Sequence, residues 1–134
     1  MSSSAPEAEA LDPGLTKLLH DLVSFDTTSR NSNLELITYV EKYLSRFGIA
    51  SQRIHDETGG KANLYATIGP QDLPGVMLSG HTDVVPVDGQ PWSTNPFSVA
   101  MQDGRFFGRG TADMKGFIAC VLAQVPQMLE MPLQ

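Results

Sequence analysis

The sequence predicts an α/β domain in which helices cover a mixed sheet. Three observations carry that expectation. Apolar residues recur at helical spacing near both ends of the chain. Short apolar runs of strand length lie between them, separated by clusters of Gly, Pro and Asp. One such cluster, Asp103-Gly104, sits between two extended segments and signals a hairpin.

The elements follow in order. In "LTKLLHDLVSF", Leu15, Leu18, Leu19 and Leu22 share one face, so a helix is expected over 13–24. "SNLELITYVEKYLSRFG" opens with Ser32-x-x-Glu35, which reads as a capping box, and closes on Gly48. Its stripe is Leu34, Ile37, Val40, Leu44 and Phe47. "IASQRIH" and "NLYATIG" read as two strands joined by the turn-rich "DETGGKA". "GVMLSG" is a short apolar run of the kind a buried strand shows. "DGQPWSTNPF" is a loop. "FIACVLAQV" returns to helical spacing, with Ile118, Val121, Leu122 and Val125 on one side. Pro126 is expected to end or kink that helix. In a strand–crossover–strand unit another strand comes next, so the chain is expected to be the first part of a larger domain.

Composition narrows the function. The 134 residues carry a net charge of −6 and no basic cluster, which argues against nucleic acid and anionic membrane partners. No apolar run approaches the roughly 20 residues that span a bilayer. "MSSSAPEAEALDPG" has neither a basic start nor an apolar centre, so residues 1–12 read as a flexible leader rather than a signal peptide. The single cysteine, Cys120, rules out an internal disulfide framework and reads as a core residue on an apolar helix. A cytoplasmic setting is expected.

Two segments carry candidate chemistry. In "SGHTDVVP", His81 and Asp83 stand two apart just past the expected strand. Extended residues at that spacing face the same side. Open α/β sheets place ligands beyond their strand ends. In "GRGTADMKG", Asp113 looks buried among three glycines at the entry to the last helix. A carboxylate there can cap the helix or bind a cation, and the pattern alone favours neither. Taken together the two segments suit a hydrolytic metal site. Neutral imidazole is a good ligand for zinc or cobalt, one carboxylate can bridge two cations, and Asp83 can accept the other ring N–H of His81. His20 reads as a surface or satisfied core histidine, and His55 as a solvated loop residue. Trp92 and Phe97 read as anchors of the loop, with lining of a substrate entrance the alternative for Trp92, and Arg109 reads as a partner for a carboxylate.

"LSGHTDVVP", "PWSTNPF" and "DGRFFGRGTADMKG" resemble the zinc-dependent aminoacylase and carboxypeptidase superfamily, which includes acetylornithine deacetylases, succinyl-diaminopimelate desuccinylases and glutamate carboxypeptidases. The acetylornithine deacetylases are the most similar of these, through "GHTDVVPVDGQPW" and "GRGTADMKGFIACVLA". The resemblance implies a zinc-peptidase-like fold, incomplete here, with residues 13–134 as the N-terminal part of the catalytic domain. It implies that His81 binds the first of two zinc or cobalt ions. Asp113 would bridge both ions, Asp83 would orient His81, and the Asp113–Met114 peptide would be cis. It places the general-base glutamate, the remaining ligands and a lid and dimerisation domain outside these residues. The implied reaction is hydrolysis of a small N-acylated amino acid, namely N2-acetyl-L-ornithine to ornithine and acetate in arginine biosynthesis, by a homodimeric parent. A desuccinylase or dipeptidase of the same superfamily is the alternative, and an inactive truncated fragment is the rival of a different class.

Overall fold

A computed structural model describes residues 12–132. The leader expected over 1–12 therefore lies outside the described residues, apart from Asp12. That residue caps the first helix, α1 (Pro13–Ser24), by accepting from Gly14 N at 2.8 Å. Pro13 suits the first helical position, where its missing N–H costs nothing. Leu18, Leu19, Leu22 and Val23 are buried, as the spacing predicts.

Helix α2 (Leu34–Ser45) starts one residue later than the capping-box reading. Asn33 is the N-cap, and Ser32 Oγ accepts from Leu34 N at 3.2 Å. The Asn33 side chain is used elsewhere. Its Oδ1 accepts from Ala62 N, and its Nδ2 donates to Ala62 O and Thr82 Oγ1, so it ties the helix start to two distant segments. The buried stripe is Leu36, Ile37, Val40 and Leu44. It is rotated from the expected one: Leu36 replaces Leu34 at the i, i+4, i+8 positions, and Phe47 lies past the last turn, 36% exposed.

Strands β1 (Ser51–His55) and β2 (Ala62–Ala66) form the expected hairpin, paired antiparallel from Ser51↔Ala66 to His55↔Ala62. Strands β3 (Ala100–Gln102) and β4 (Arg105–Phe107) form the second, turning on Asp103 and Gly104 at φ 50° and 70°. The α/β class stands. Among the described residues each sheet has two strands, and "GVMLSG" is not one of them. Its residues are exposed and unpaired, because a strand apolar on both faces needs neighbours on both edges and has none here.

Helix α3 (Lys115–Glu130) passes through Pro126 instead of stopping there. A proline cannot donate to the carbonyl four residues back, here Leu122 O. Tyr43 Oη donates to that carbonyl at 2.9 Å and takes the missing role. Helix α1 packs on α3, and α2 packs on the β1–β2 hairpin. Leu22, Val23, Leu36, Leu122 and Val125 lie in one shared apolar core. Cys120 faces outward and is exposed, contrary to its reading as core. The buried face of α3 runs through Lys115, Ala119, Leu122 and Val125 instead of the face expected from Ile118 and Val121.

Candidate metal centre

The segment carrying His81 is fixed by a short parallel pairing with the chain after α1. Ser29 N donates to Val84 O at 3.0 Å, and Val84 N donates to Thr27 O at 3.1 Å. The buried Thr27 hydroxyl donates to Thr82 O at 2.5 Å. Neutral hydrogen bonds of this kind each contribute about 1 kcal/mol net. They hold residues 82–84 against the core while His81 and Asp83 face out.

The segment carrying Asp113 reaches the same place through α3. A Cβ on Gly80 would lie 3.2 Å from Ile118 and Met114 side-chain atoms, so any larger residue there would press on the start of α3. His81 N donates to Met114 Sδ at 3.3 Å. Gly110 has φ +90°, and its missing Cβ would stand 2.9 Å from Val84 Cγ1. The Asp113–Met114 peptide is cis, as the resemblance implies.

These constraints put His81 between the two aspartates. Its Nε2 is 2.9 Å from Asp113 Oδ1. Its Nδ1 is 3.0 Å from the Asp83 backbone oxygen and 3.2 Å from Asp83 Oδ1. The Asp113 carboxylate, and then the Asp83 carbonyl, raise the imidazole pKa above its ordinary value, with slight burial opposing. All three side chains are open to solvent, and Asp113, read among its glycines as buried, is 81% exposed.

The arrangement fits a cation. Both ring nitrogens face oxygen acceptors, which only an imidazolium can satisfy by donating twice. A metal ion at Nε2 would replace that proton between imidazole and carboxylate, while Nδ1–H stays held by Asp83. One imidazole nitrogen and one carboxylate suit zinc or cobalt, although zinc takes three or four ligands. Among the described residues no group of three or more His, Cys, Asp or Glu side chains is arranged to hold a metal ion.

Other functional readings resolve as follows. His20 and His55 are exposed. Arg109 pairs with no carboxylate among the described residues. Its guanidinium lies 5.2 Å from the Trp92 ring centroid and donates to Gln90 Oε1, which also accepts from Trp92 Nε1 at 3.1 Å. Trp92 thus anchors the loop as expected. His81, Asp83, Val84, Arg109 and Asp113 line one cleft, and the broader apolar concavity beside Lys17 and Met101 shares no residue with it.

Lys115 escaped the sequence reading. It is 0% exposed, and its Nζ donates to Phe25 O at 2.7 Å, tying the start of α3 to the end of α1. Burial pushes its pKa down to about 8, partly offset by the Asp26 charge. A signal was present: Lys115, Ala119 and Leu122 fall at i, i+4 and i+7, on the buried stripe.

Several known proteins are similar to this chain. Residues 77–134 match the model of Peptidase family M20/M25/M40. The chain is 42% identical over 106 residues to an acetylornithine deacetylase of Pasteurella multocida, a match covering 78% of the chain and 28% of that protein. It is 40% identical over 111 residues to a succinyl-diaminopimelate desuccinylase of Rickettsia bellii, covering 81% of the chain and again 28% of the relative. The chain thus spans little more than a quarter of the length of these curated relatives. Its fold matches human carnosine dipeptidase 1 with a TM-score of 0.75 at 21% identity, over 90% of the chain and 29% of that structure. Motif match and relatives both point to peptidase family M20/M25/M40, which residues 77–134 match.

Proposed function

We propose that residues 13–134 are the first part of a catalytic domain that hydrolyses the amide bond of a small N-acylated amino acid with the help of two zinc or cobalt ions. The observation that carries this reading is the His81 Nε2–Asp113 Oδ1 approach of 2.9 Å, with Asp83 against the opposite ring nitrogen. In this reading His81 and Asp113 hold metal, and Asp113 is the ligand shared between the two ions. Bound metal supplies Lewis acidity toward the amide carbonyl. Asp83 fixes which nitrogen of His81 keeps its proton, so that Nε2 presents its lone pair. The Thr27–Thr82 and Ser29–Val84 hydrogen bonds hold that imidazole in place. The general base and the remaining ligands belong to polypeptide outside these residues. The same reading carries a homodimeric parent in the cytoplasm; no described helix is long and apolar enough to cross a membrane.

N2-acetyl-L-ornithine is the proposed substrate, and the reaction releases acetate and ornithine for arginine biosynthesis. The similar identity to a desuccinylase keeps succinyl-diaminopimelate as the second reading. The test joins this chain to the rest of the P. multocida deacetylase, supplies zinc or cobalt, and measures acetate and succinate release in parallel. Faster acetate release, lost in His81→Ala, supports the proposal. Release of neither acid by a folded, metal-loaded protein overturns it. The 134-residue chain alone is expected to give no turnover, because two ligands and no general base cannot complete the site.

A further inference from the structure

We propose that Asn33 is a positioning residue of the metal centre, and that it acts through the Thr82 hydroxyl to keep the His81 imidazole aimed at Asp113. The inference deepens the proposed function and rests on its reading of His81 and Asp113 as metal ligands. Asn33 stands at the N-cap of α2, yet its side chain gives that helix no capping hydrogen bond. It bonds to Ala62 and Thr82 instead. Its Oδ1 accepts from Ala62 N at 2.9 Å, and its Nδ2 donates to Ala62 O at 2.9 Å and to Thr82 Oγ1 at 3.0 Å.

The two bonds to Ala62 decide which way the amide points. Turned over, it would set its NH2 against the Ala62 N–H and its oxygen against the Ala62 carbonyl, donor facing donor and acceptor facing acceptor. Ala62 is buried at the first position of β2 and paired with His55, so the amide is fixed to the end of the β1–β2 hairpin. The other N–H of the amide is thereby aimed at Thr82.

Thr82 lies between the two residues that carry chemistry. Exposure alternates along 81–84, as it does where backbone is extended: Thr82 is half-buried and Val84 buried, whereas His81 and Asp83 are exposed. The inward residue therefore sets how the outward ones project. Its carbonyl accepts from the Thr27 hydroxyl, just after α1, and its hydroxyl accepts from Asn33, at the start of α2. Attachments at two different atoms stop the residue from turning about either one. His81 needs this support. Its own anchors are an N–H to Met114 Sδ at 3.3 Å, a weak acceptor, and ring contacts to Asp83 and Asp113, both exposed.

Thr82→Val and Thr82→Ser separate positioning from fold. Valine keeps the shape of threonine without the hydroxyl, and serine keeps the hydroxyl without the methyl. A merely structural role favours valine, the better strand former. A positioning role reverses that order, and two measurements on the 134-residue chain read it. In the metal-free chain, three-bond NMR couplings across the His81 side chain should report one χ1 rotamer for the unsubstituted chain and for Thr82→Ser, and rotamer averaging for Thr82→Val. By titration calorimetry, zinc should bind about 10-fold more weakly to Thr82→Val and within about twofold of the unsubstituted chain to Thr82→Ser. Asn33→Ala should match Thr82→Val, and combining the two should weaken zinc little further, because both remove one bond. A single His81 rotamer in Thr82→Val, zinc affinity there equal to the unsubstituted chain, or losses that multiply in the double variant overturn the proposal. If Asn33→Ala does not fold, the order of valine and serine decides. Zinc binding by none of the chains, the unsubstituted one included, would overturn the ligand reading instead, and the couplings would then decide the role of Asn33 and Thr82.

Discussion

Tyr43→Phe removes one hydroxyl, and the structure says what that hydroxyl does. Tyr43 Oη donates at 2.9 Å to Leu122 O, the carbonyl that Pro126 leaves without its helical donor. Tyr43 is half-buried and Leu122 is buried, so water replaces the lost donor poorly. Losing a hydrogen bond and stranding a buried carbonyl costs about 1–2 kcal/mol. With a urea slope of about 2 kcal/mol/M, the unfolding midpoint of the chain should fall by roughly 0.5–1 M. The sharper expectation is the coupling. Pro126→Ala restores an N–H that can reach Leu122 O, so Tyr43→Phe should cost far less in that background. A double-mutant cycle by urea denaturation should give a coupling of about 1 kcal/mol. An equal cost of Tyr43→Phe in both backgrounds would refute the claim that the tyrosine substitutes for the missing helical donor.

Two other expectations follow from the same structure. Gly110→Ala puts a Cβ 2.9 Å from Val84 Cγ1 at φ +90° and should cost about 2–4 kcal/mol, whereas Gly104→Ala, at φ +70° in open space, should cost only about 1 kcal/mol; chemical denaturation of both variants checks the difference. The Asp26 carboxyl is held below its ordinary value of 3.8, first by the Thr28 hydroxyl and against a small opposing effect of burial, so its stabilisation is complete above that pH and lost as the pH falls through the lowered value. Asp26→Asn should flatten this acid dependence, read as unfolding midpoint against pH, and an unchanged profile would remove Asp26 from the acid response.

Much of this was legible where local chemistry decides. Helix α1 keeps the bounds its spacing predicts, and Asp103-Gly104 turns the hairpin because both residues accept positive φ. The misreadings share a cause in contacts distant in sequence. Pro126 stays inside a helix because of a tyrosine 79 residues from Leu122, the residue whose carbonyl it takes over. The run at 75–80 is apolar enough for a buried strand, but pairing depends on neighbours that its own residues do not specify. Cys120 faces out and Lys115 is buried because α3 is rotated so that its lysine meets the carbonyl of Phe25, which also accepts from Thr27 N. For the site, the His81–Asp83 pair was weak by itself, and its place just past an expected strand is what raised it. Asp113 could equally have capped a helix by pattern, and family resemblance singled it out before the structure brought it to His81.

Zinc binding to the 134-residue chain, followed by titration calorimetry at slightly alkaline pH, tests the metal assignment most directly. One weak site is expected. His81→Ala and Asp113→Ala should each abolish it, and Asp83→Asn should weaken it about 10–100-fold through the ring nitrogen it holds. Cys120→Ser, which removes an exposed thiol away from the site, should leave it unchanged. Zinc affinity that survives both His81→Ala and Asp113→Ala would contradict the assignment of these two residues as the metal ligands of this chain.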